Sequence, residues 1–294
     1  MVLASLGTLL AACDRNPEEA GSDPEELVIS FTPEADPVHL ELDAEGLATF
    51  LADELGIPVD AQIDADYSAT VEAMAAGHAH IATNLAPLQA AAAMDRADAG
   101  LILTEERDGQ AHYHSRFWVL EDSDIETLED LQGTSIAFND PLSGSGYLMP
   151  VAKLIDEGLV ADGDEIHSYF ENVYFAGGTE LSIQALLRGH VDVAGISENA
   201  VDVFVRPEDR ERVTFIAESD PMPRHAIAVS GDLSDELVEA ITDAFLKLNE
   251  PEHNEILQGL YGWNRVVPAD EAQYLPLLEK AQAAGLLERS EQEN

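Results

Sequence analysis

Phe138-Asn139-Asp140-Pro141-Leu142-Ser143-Gly144-Ser145-Gly146-Tyr147-Leu148-Met149-Pro150 is the stretch on which the reading of this chain turns. Ser135-Ile136-Ala137-Phe138 reads as a buried strand, the Pro, Gly and Ser residues break it, and an apolar helix then runs to about Gly158. A strand passing through a turn into a helix is the repeating unit of an α/β protein. Ser143 and Ser145 fall at N-cap and first-turn positions, and Pro150 is tolerated in a first turn. Gly144 and Gly146 would let the backbone come close to a ligand. A helix amino terminus offers N–H groups and a partial positive charge, which suits an oxyanion, and the two hydroxyls add neutral donors. Two readings stand at this point: capping of a helix after a loop, or an anion site. No lysine accompanies the glycines, so the segment is not a nucleotide P-loop.

Outward from this segment the alternation continues. Toward the amino terminus the pattern predicts strands at 27–31, 58–63 and 80–83, and helices at about 43–55, 67–76 and 87–97. Toward the carboxyl terminus it predicts strands at 172–175, 191–194 and 227–229, and helices at about 181–188, 235–248 and 268–285. Strands alternating with helices indicate largely parallel sheets. Glu72–Ala82 lines up without gaps on Gln184–Ala194, an offset of 112 (184 − 72). Either this is the likeness of any helix–Gly–strand unit, or the chain holds two lobes of similar topology. In the second case the residues past each strand's carboxyl end face a shared crevice. A helical tail after the second lobe implies that the chain returns to the first, and two crossovers would make a hinge.

Composition narrows the function. With 58 acidic and 14 basic residues the formal charge is −44, while 46% hydrophobic content suffices for packed cores. That charge excludes a nucleic-acid binder working by phosphate neutralisation and docking on an anionic membrane through a basic face. Only three lysines occur. Acidity with scarce lysine suggests a protein adapted to concentrated salt, or an ordinary acidic extracytoplasmic one. The single cysteine, Cys13, follows Leu10-Ala11-Ala12 and an apolar run, and Asp14–Pro24 is polar and rich in turn formers. This reads as a lipoprotein signal with lipidation at Cys13 and a tether behind it. No basic residue precedes the apolar run, unlike most such signals. Elsewhere no stretch reaches the ~18 apolar residues needed to span a bilayer.

The pairs His78/His80 and His112/His114 have strand spacing, but no third or fourth ligand accompanies them, so no metal and no cofactor is expected. The acidic runs at 121–124 and 162–165 read as solvated loops. No nucleophile elbow, Ser/His/Asp set or dinucleotide fingerprint stands out.

Several segments, taken in order, resemble the phosphate/phosphite/phosphonate-binding proteins of ABC importers, which are type II periplasmic binding proteins. The central loop is similar to that family's Asp-Pro-x-Ser-Thr-Ser-Gly. Asp66-Tyr67 resembles its Asp-Tyr segment, Ala176-Gly177-Gly178-Thr179 leading to Gly189-His190-Val191-Asp192 its Gly-Gly-His-Asp…Gly-x-Val-Asp stretch, and Met222–Ile227 its Ile-Pro-x-Asp-Pro-Ile turn. The resemblance spans most of residues 27–265.

It implies an α/β fold of two lobes with a ligand cleft between them, each lobe a mostly parallel sheet flanked by helices. The implied boundaries are a signal at 1–13, a tether at 14–25, lobe 1 at 26–118 and 224–294, and lobe 2 at 119–223. The implied ligand-binding residues are Tyr67, Tyr113, Ser143, Gly144, Ser145, Thr179 and His225, with Tyr67 also readable as a core-packed helix cap. The departures are Gly144 where the family has Thr, Thr179 where it has a ligand-binding His, and His225 where some members have an Asp that pairs with a ligand amine. They point away from aminoalkyl phosphonates and toward phosphate, phosphite or a small phosphonate. The resemblance further implies a monomeric, lipid-anchored, extracytoplasmic protein that passes a small oxyanion to an ABC permease and performs no chemistry. A sensor or binding protein for another ligand, or an enzyme on the same fold, are the alternatives.

Overall fold

The computed structural model describes residues 23–32 and 37–286, so Cys13 and most of the expected tether lie outside the described residues. The chain begins with β1 (Leu27–Phe31), α1 (Pro37–Leu55), β2 (Val59–Ile63), α2 (Tyr67–Ala75), β3 (Ile81–Leu85), α3 (Pro87–Ala97) and β4 (Ala99–Glu106). The short strand β5 (His112–Tyr113) leads to a second group: β6 (Ser115–Leu120), β7 (Ser135–Phe138), α4 (Met149–Asp156), α5 (Ile166–Tyr169), β8 (Asn172–Phe175), α6 (Thr179–Leu187), β9 (Val193–Ser197), α7 (Ala200–Phe204) and β10 (Val213–Glu218). The chain then returns through β11 (Met222–Pro223) to β12 (Ala226–Ser230), α8 (Asp235–Lys247), α9 (Asn254–Tyr261), β13 (Arg265–Pro268) and α10 (Leu275–Ala283).

Two helix-flanked sheets result. The first has the order β13-β4-β12-β3-β1-β2 and the second β10-β6-β9-β7-β8, while β5 and β11 pair antiparallel as a ribbon between them. The sheets are mixed rather than mostly parallel. β1 runs parallel to β2 and β3, and β7 to β8 and β9, as helical crossovers require. β12 is antiparallel to both β3 and β4, and β6 to β9. The reason is directional. β4 leaves the first sheet at the edge where the ribbon begins, so a strand arriving from the ribbon enters at that edge and runs the opposite way.

The internal likeness is structural. α2, Gly77 and β3 recur as α6, Gly189 and β9, and every boundary is displaced by the same 112 residues (179 − 67, 187 − 75, 193 − 81, 197 − 85). Gly77 and Gly189 close their helices with φ of 70° and 68°, a left-handed turn that glycine takes without a Cβ penalty. Tyr67 and Thr179 are thereby equivalent: each opens its helix.

Both faces of each sheet are covered. Leu47 and Leu51 of α1 with Phe245 of α8 pack one face of the first sheet, and Val71, Met74 and the alanines of α3 pack the other. Burying each large side chain of this kind contributes about 1.5–3 kcal/mol. The second sheet is covered by α4 and α5 on one side and by α6 and α7 on the other. A further apolar cluster, Leu88, Tyr113, Leu148, Met149, Met222, Leu277 and Ala281, draws from α3, the ribbon, the serine loop and α10, and so joins the two sheets. The helix expected over 268–285 is instead β13, a short turn and α10. α10 ends against the second group, where the Gly163 N–H donates to the Ala284 carbonyl at 2.7 Å.

Candidate functional site

The serine loop lies where the two sheets meet. Ser143 caps the turn as its spacing predicts: its Oγ accepts from the Gly146 N–H at 3.0 Å. Residues Gly144–Leu148 form a π-type turn that passes into α4, a geometry frequent at functional sites. Ser145 is gripped from two sides. The Tyr113 hydroxyl donates to its Oγ at 3.2 Å, and Ser115 Oγ donates to its carbonyl at 2.5 Å.

Both glycines stand where a Cβ would crowd a neighbour. A Cβ on Gly146 would stand 2.4 Å from the Asn139 side chain, and one on Gly144 would stand 3.3 Å from Met222 Sδ and 3.4 Å from Pro87. Pro87 opens α3 in the first group, so Gly144 admits a close approach between the loop and the opposite wall.

Asn139 connects the loop to α6. Its Nδ2 donates to Thr179 Oγ1 at 2.8 Å, and its Oδ1 accepts from Ser182 Oγ at 2.8 Å. On the other side Asp140 reaches the first group. Its carboxylate accepts from the Leu142 N–H at 2.8 Å and also from the backbone of Tyr67. Burial pushes the Asp140 carboxyl above its ordinary value, and the nearby Asp66 charge adds to that. Asp66 caps α2, accepting from the Ala69 N–H at 2.8 Å. Tyr67 is fully buried, and its carbonyl accepts from Gln89 Nε2 at 3.0 Å.

A charged cluster adjoins Tyr113. Glu105, at the end of β4 and only 1% exposed, accepts from Arg107 Nε at 3.0 Å and faces His225 Nδ1 at 3.3 Å and Arg224 Nη1 at 3.7 Å. Burial alone would raise the Glu105 carboxyl. The His225 hydrogen bond and the charges of Arg107, His225 and Arg224 outweigh it and hold the carboxyl below its usual range. Arg224 also lies 3.6 Å from Glu198, which follows β9, and its guanidinium sits 5.3 Å from the Tyr113 ring centroid. This buried arginine therefore spans carboxylates of both sheets. Its guanidinium is thus already committed to Glu105 and Glu198.

The seven residues expected to bind ligand thus converge on one junction. Tyr113 and Ser145 are bonded, Ser143 and Gly144 flank them, Thr179 joins through Asn139, His225 packs on Tyr113 at 5.6 Å between ring centroids, and Tyr67 meets Asp140. Beside them is a cavity of about 500 Å³ between the two groups. Thr179 and His225 line it, together with Asn84, Glu105, Ser197 and Trp263; Tyr67, Tyr113, Ser143, Gly144 and Ser145 do not. Asn84 and Glu105 escaped sequence reasoning, although both stand at the carboxyl ends of strands, where a crevice was expected. Among the described residues no cluster of three or more His, Cys, Asp or Glu is placed to hold a metal ion, and no helix is long and apolar enough to cross a membrane. Of the histidine pairs, His80 accepts from the Val28 N–H and His114 bonds the Ser219 carbonyl.

Comparison with known proteins gives a consistent picture. Residues 29–274 match the family described as ABC transporter, phosphonate, periplasmic substrate-binding protein. The chain is 27% identical to the phosphate-import protein PhnD of Mycolicibacterium smegmatis, covering 82% of this chain and 79% of that protein. It is 28% identical to the phosphonates-binding periplasmic protein of Escherichia coli, covering 78% of this chain and 68% of that one. Among solved structures it resembles a binding-protein component of an ABC phosphonate transporter from Pseudomonas aeruginosa, with a TM-score of 0.78, 22% identity and 91% of each chain covered. It also resembles PhnD1 from Prochlorococcus marinus in complex with methylphosphonate, with a TM-score of 0.78, 16% identity, and 90% of this chain and 100% of that one covered. These neighbours share the two-sheet type II periplasmic binding fold.

Proposed function

Because the chain belongs to the ABC-transporter family of periplasmic phosphonate-binding proteins, we propose that it captures a phosphorus oxyanion (phosphonate, phosphite or phosphate) between its two sheets by hinge closure and presents it to an importer's permease. Membership makes it the substrate-binding component of a transporter, working outside the cytoplasm, and not an enzyme. The observation that carries the finer reading is the Ser143–Gly146 turn, buried at the junction and joined to the ribbon through the Tyr113 hydroxyl. With a net charge of −44, an anion is held by local dipoles and hydroxyls rather than by the overall field.

In this reading Ser143, Ser145 and Thr179 on one side and Tyr67, Tyr113 and His225 on the other are the ligand-binding residues, and Gly144 leaves room for the walls to meet. A ligand that touches both walls only in the closed form shifts the equilibrium toward closure. The relatives' names, which speak of phosphate import and phosphonate binding, favour the same ligand class. The reading extends to a monomer held at the membrane by lipid on Cys13, and to work in concentrated salt.

Replacing both serines, Ser143→Ala with Ser145→Ala, tests the placement. Each charge-assisted hydrogen bond lost is worth about 1.5–3 kcal/mol, so calorimetry should show affinity falling by at least tenfold for whichever of phosphate, phosphite or methylphosphonate binds best. Undiminished binding in a variant that melts like the parent overturns the site.

A further inference from the structure

One side chain in the cavity wall takes no part in the loop network. Asn84, near the end of β3, is fully buried, and neither its Nδ2 nor its Oδ1 meets a hydrogen-bond partner among the described residues. Buried amides are almost always satisfied, so an exception calls for a physical reason. The backbone of Asn84 is unusual as well, with φ at +59°, in the left-handed region. Strand pairing explains this. Ala226 stands opposite Leu85 and Ala228 opposite Ala82, so two steps along β12 answer three along β3. The extra residue makes a bulge. Bulges re-aim side chains beside functional sites, and backbone strain of this sort persists where function uses it.

The rest of the wall limits what can meet this amide. Thr179 and Ser197 bring hydroxyls, and Leu260 and Trp263 bring apolar surface. Glu105, the buried carboxylate of the wall, is already engaged by Arg107, His225 and Arg224. The wall's other carboxylates are Asp202, which is exposed and lies 3.5 Å from Arg210, and half-buried Glu180 in the first turn of α6, so an ammonium substituent would find no buried counter-charge that is not already engaged. At about 500 Å³ the cavity exceeds the needs of a bare tetrahedral anion.

We infer that Asn84 is a specificity-determining residue, and that the ligand is a phosphorus oxyanion bearing an uncharged substituent that both donates and accepts hydrogen bonds, a hydroxyl or a carboxamide. This rests on the phosphorus-oxyanion reading above and narrows it. The amide offers a donor nitrogen and an acceptor oxygen, and such a substituent can meet both. In the present arrangement the amide is covered; the ligand reaches it while the walls are apart and is enclosed with it on closure.

Titration calorimetry of the full chain with methylphosphonate, 2-hydroxyethylphosphonate and 2-aminoethylphosphonate tests the assignment. The parent protein should bind the hydroxyethyl compound about tenfold or more tightly than the other two, because a site built around a hydroxyl rejects analogues that lack it. Asn84→Gly keeps the left-handed backbone and removes the amide. It should abolish that preference while methylphosphonate affinity stays within about twofold. Asn84→Asp, which also tolerates the left-handed region, retains the acceptors, loses the donor and should lose part of the preference; it serves as well if the glycine variant does not fold. Equal affinity of the parent for all three compounds, a preference for the aminoethyl compound, a preference that survives both substitutions, or a uniform loss across the three ligands in Asn84→Gly each overturns the inference. If the parent binds none of these phosphonates, nor phosphite or phosphate, the broader ligand reading fails and takes this one with it.

Discussion

His80 shows how a single residue can be visible in the sequence while its role is not. Its spacing from His78 suggested a shared strand face. Its actual partner is the Val28 N–H, 52 positions away, which donates to His80 Nδ1 at 3.0 Å. Burial lowers its pKa from the ordinary 6.5. The folded protein therefore binds this proton less tightly than the unfolded chain does. The stability it contributes is complete above about pH 6.5 and is lost as the pH falls through the lowered folded value. Thermal denaturation should accordingly show a shallower decline between about pH 7 and pH 5.5 for His80→Asn, which keeps an acceptor and does not titrate, than for the parent. Ser143 was legible because capping is a local rule. Gly146 was legible as a glycine but not for its reason, since the Asn139 side chain that fills its Cβ space is placed by the fold. Asn84 was illegible because its bulge exists only against β12, more than 140 residues away (226 − 84).

Elements whose identity depends on local pattern agree with expectation: α3 and β8 match to the residue, and α2 and α8 within one residue of their ends. Those that depend on distant partners do not. Pro268 reads as the start of a helix, yet it ends β13, which pairs with β4 as an edge strand, where a proline at the end is tolerated. The antiparallel course of β12 and β6 likewise follows from the ribbon and not from their composition. α10 ties the two groups together. A Cβ on Gly163 would stand 2.2 Å from Leu286 Cδ2 and 2.9 Å from the Ala284 carbonyl oxygen. Gly163→Ala should therefore push the end of α10 away and cost about 1–3 kcal/mol, read as a shift in the urea midpoint. An unchanged midpoint would mean that α10 does not hold the second group.

At the scale of the whole molecule, 58 acidic residues against 14 basic ones leave a surface that repels itself. Screening shortens that repulsion to a few ångströms, since the Debye length falls from about 10 Å at 0.1 M to about 3 Å at 1 M salt. The melting temperature should rise steadily with sodium chloride over that range, and a parallel series with sucrose should separate screening from general solute exclusion. A flat salt response would remove the physical basis for reading the charge as an adaptation. The two-sheet architecture itself was foreshadowed by the helix–Gly–strand echo, because a displacement of 112 residues is a property of the sequence alone.

The ribbon carries one more implication. Ser115 and Ser219 stand side by side: the Ser219 N–H donates to the Ser115 carbonyl at 2.9 Å, and the Ser115 N–H donates to Ser219 Oγ at 3.0 Å. All five strands of the second sheet lie between these two serines. We propose that this segment is a module entered and left at one doorway, so that a related module could be transplanted there provided its seat for the end of α10 is kept.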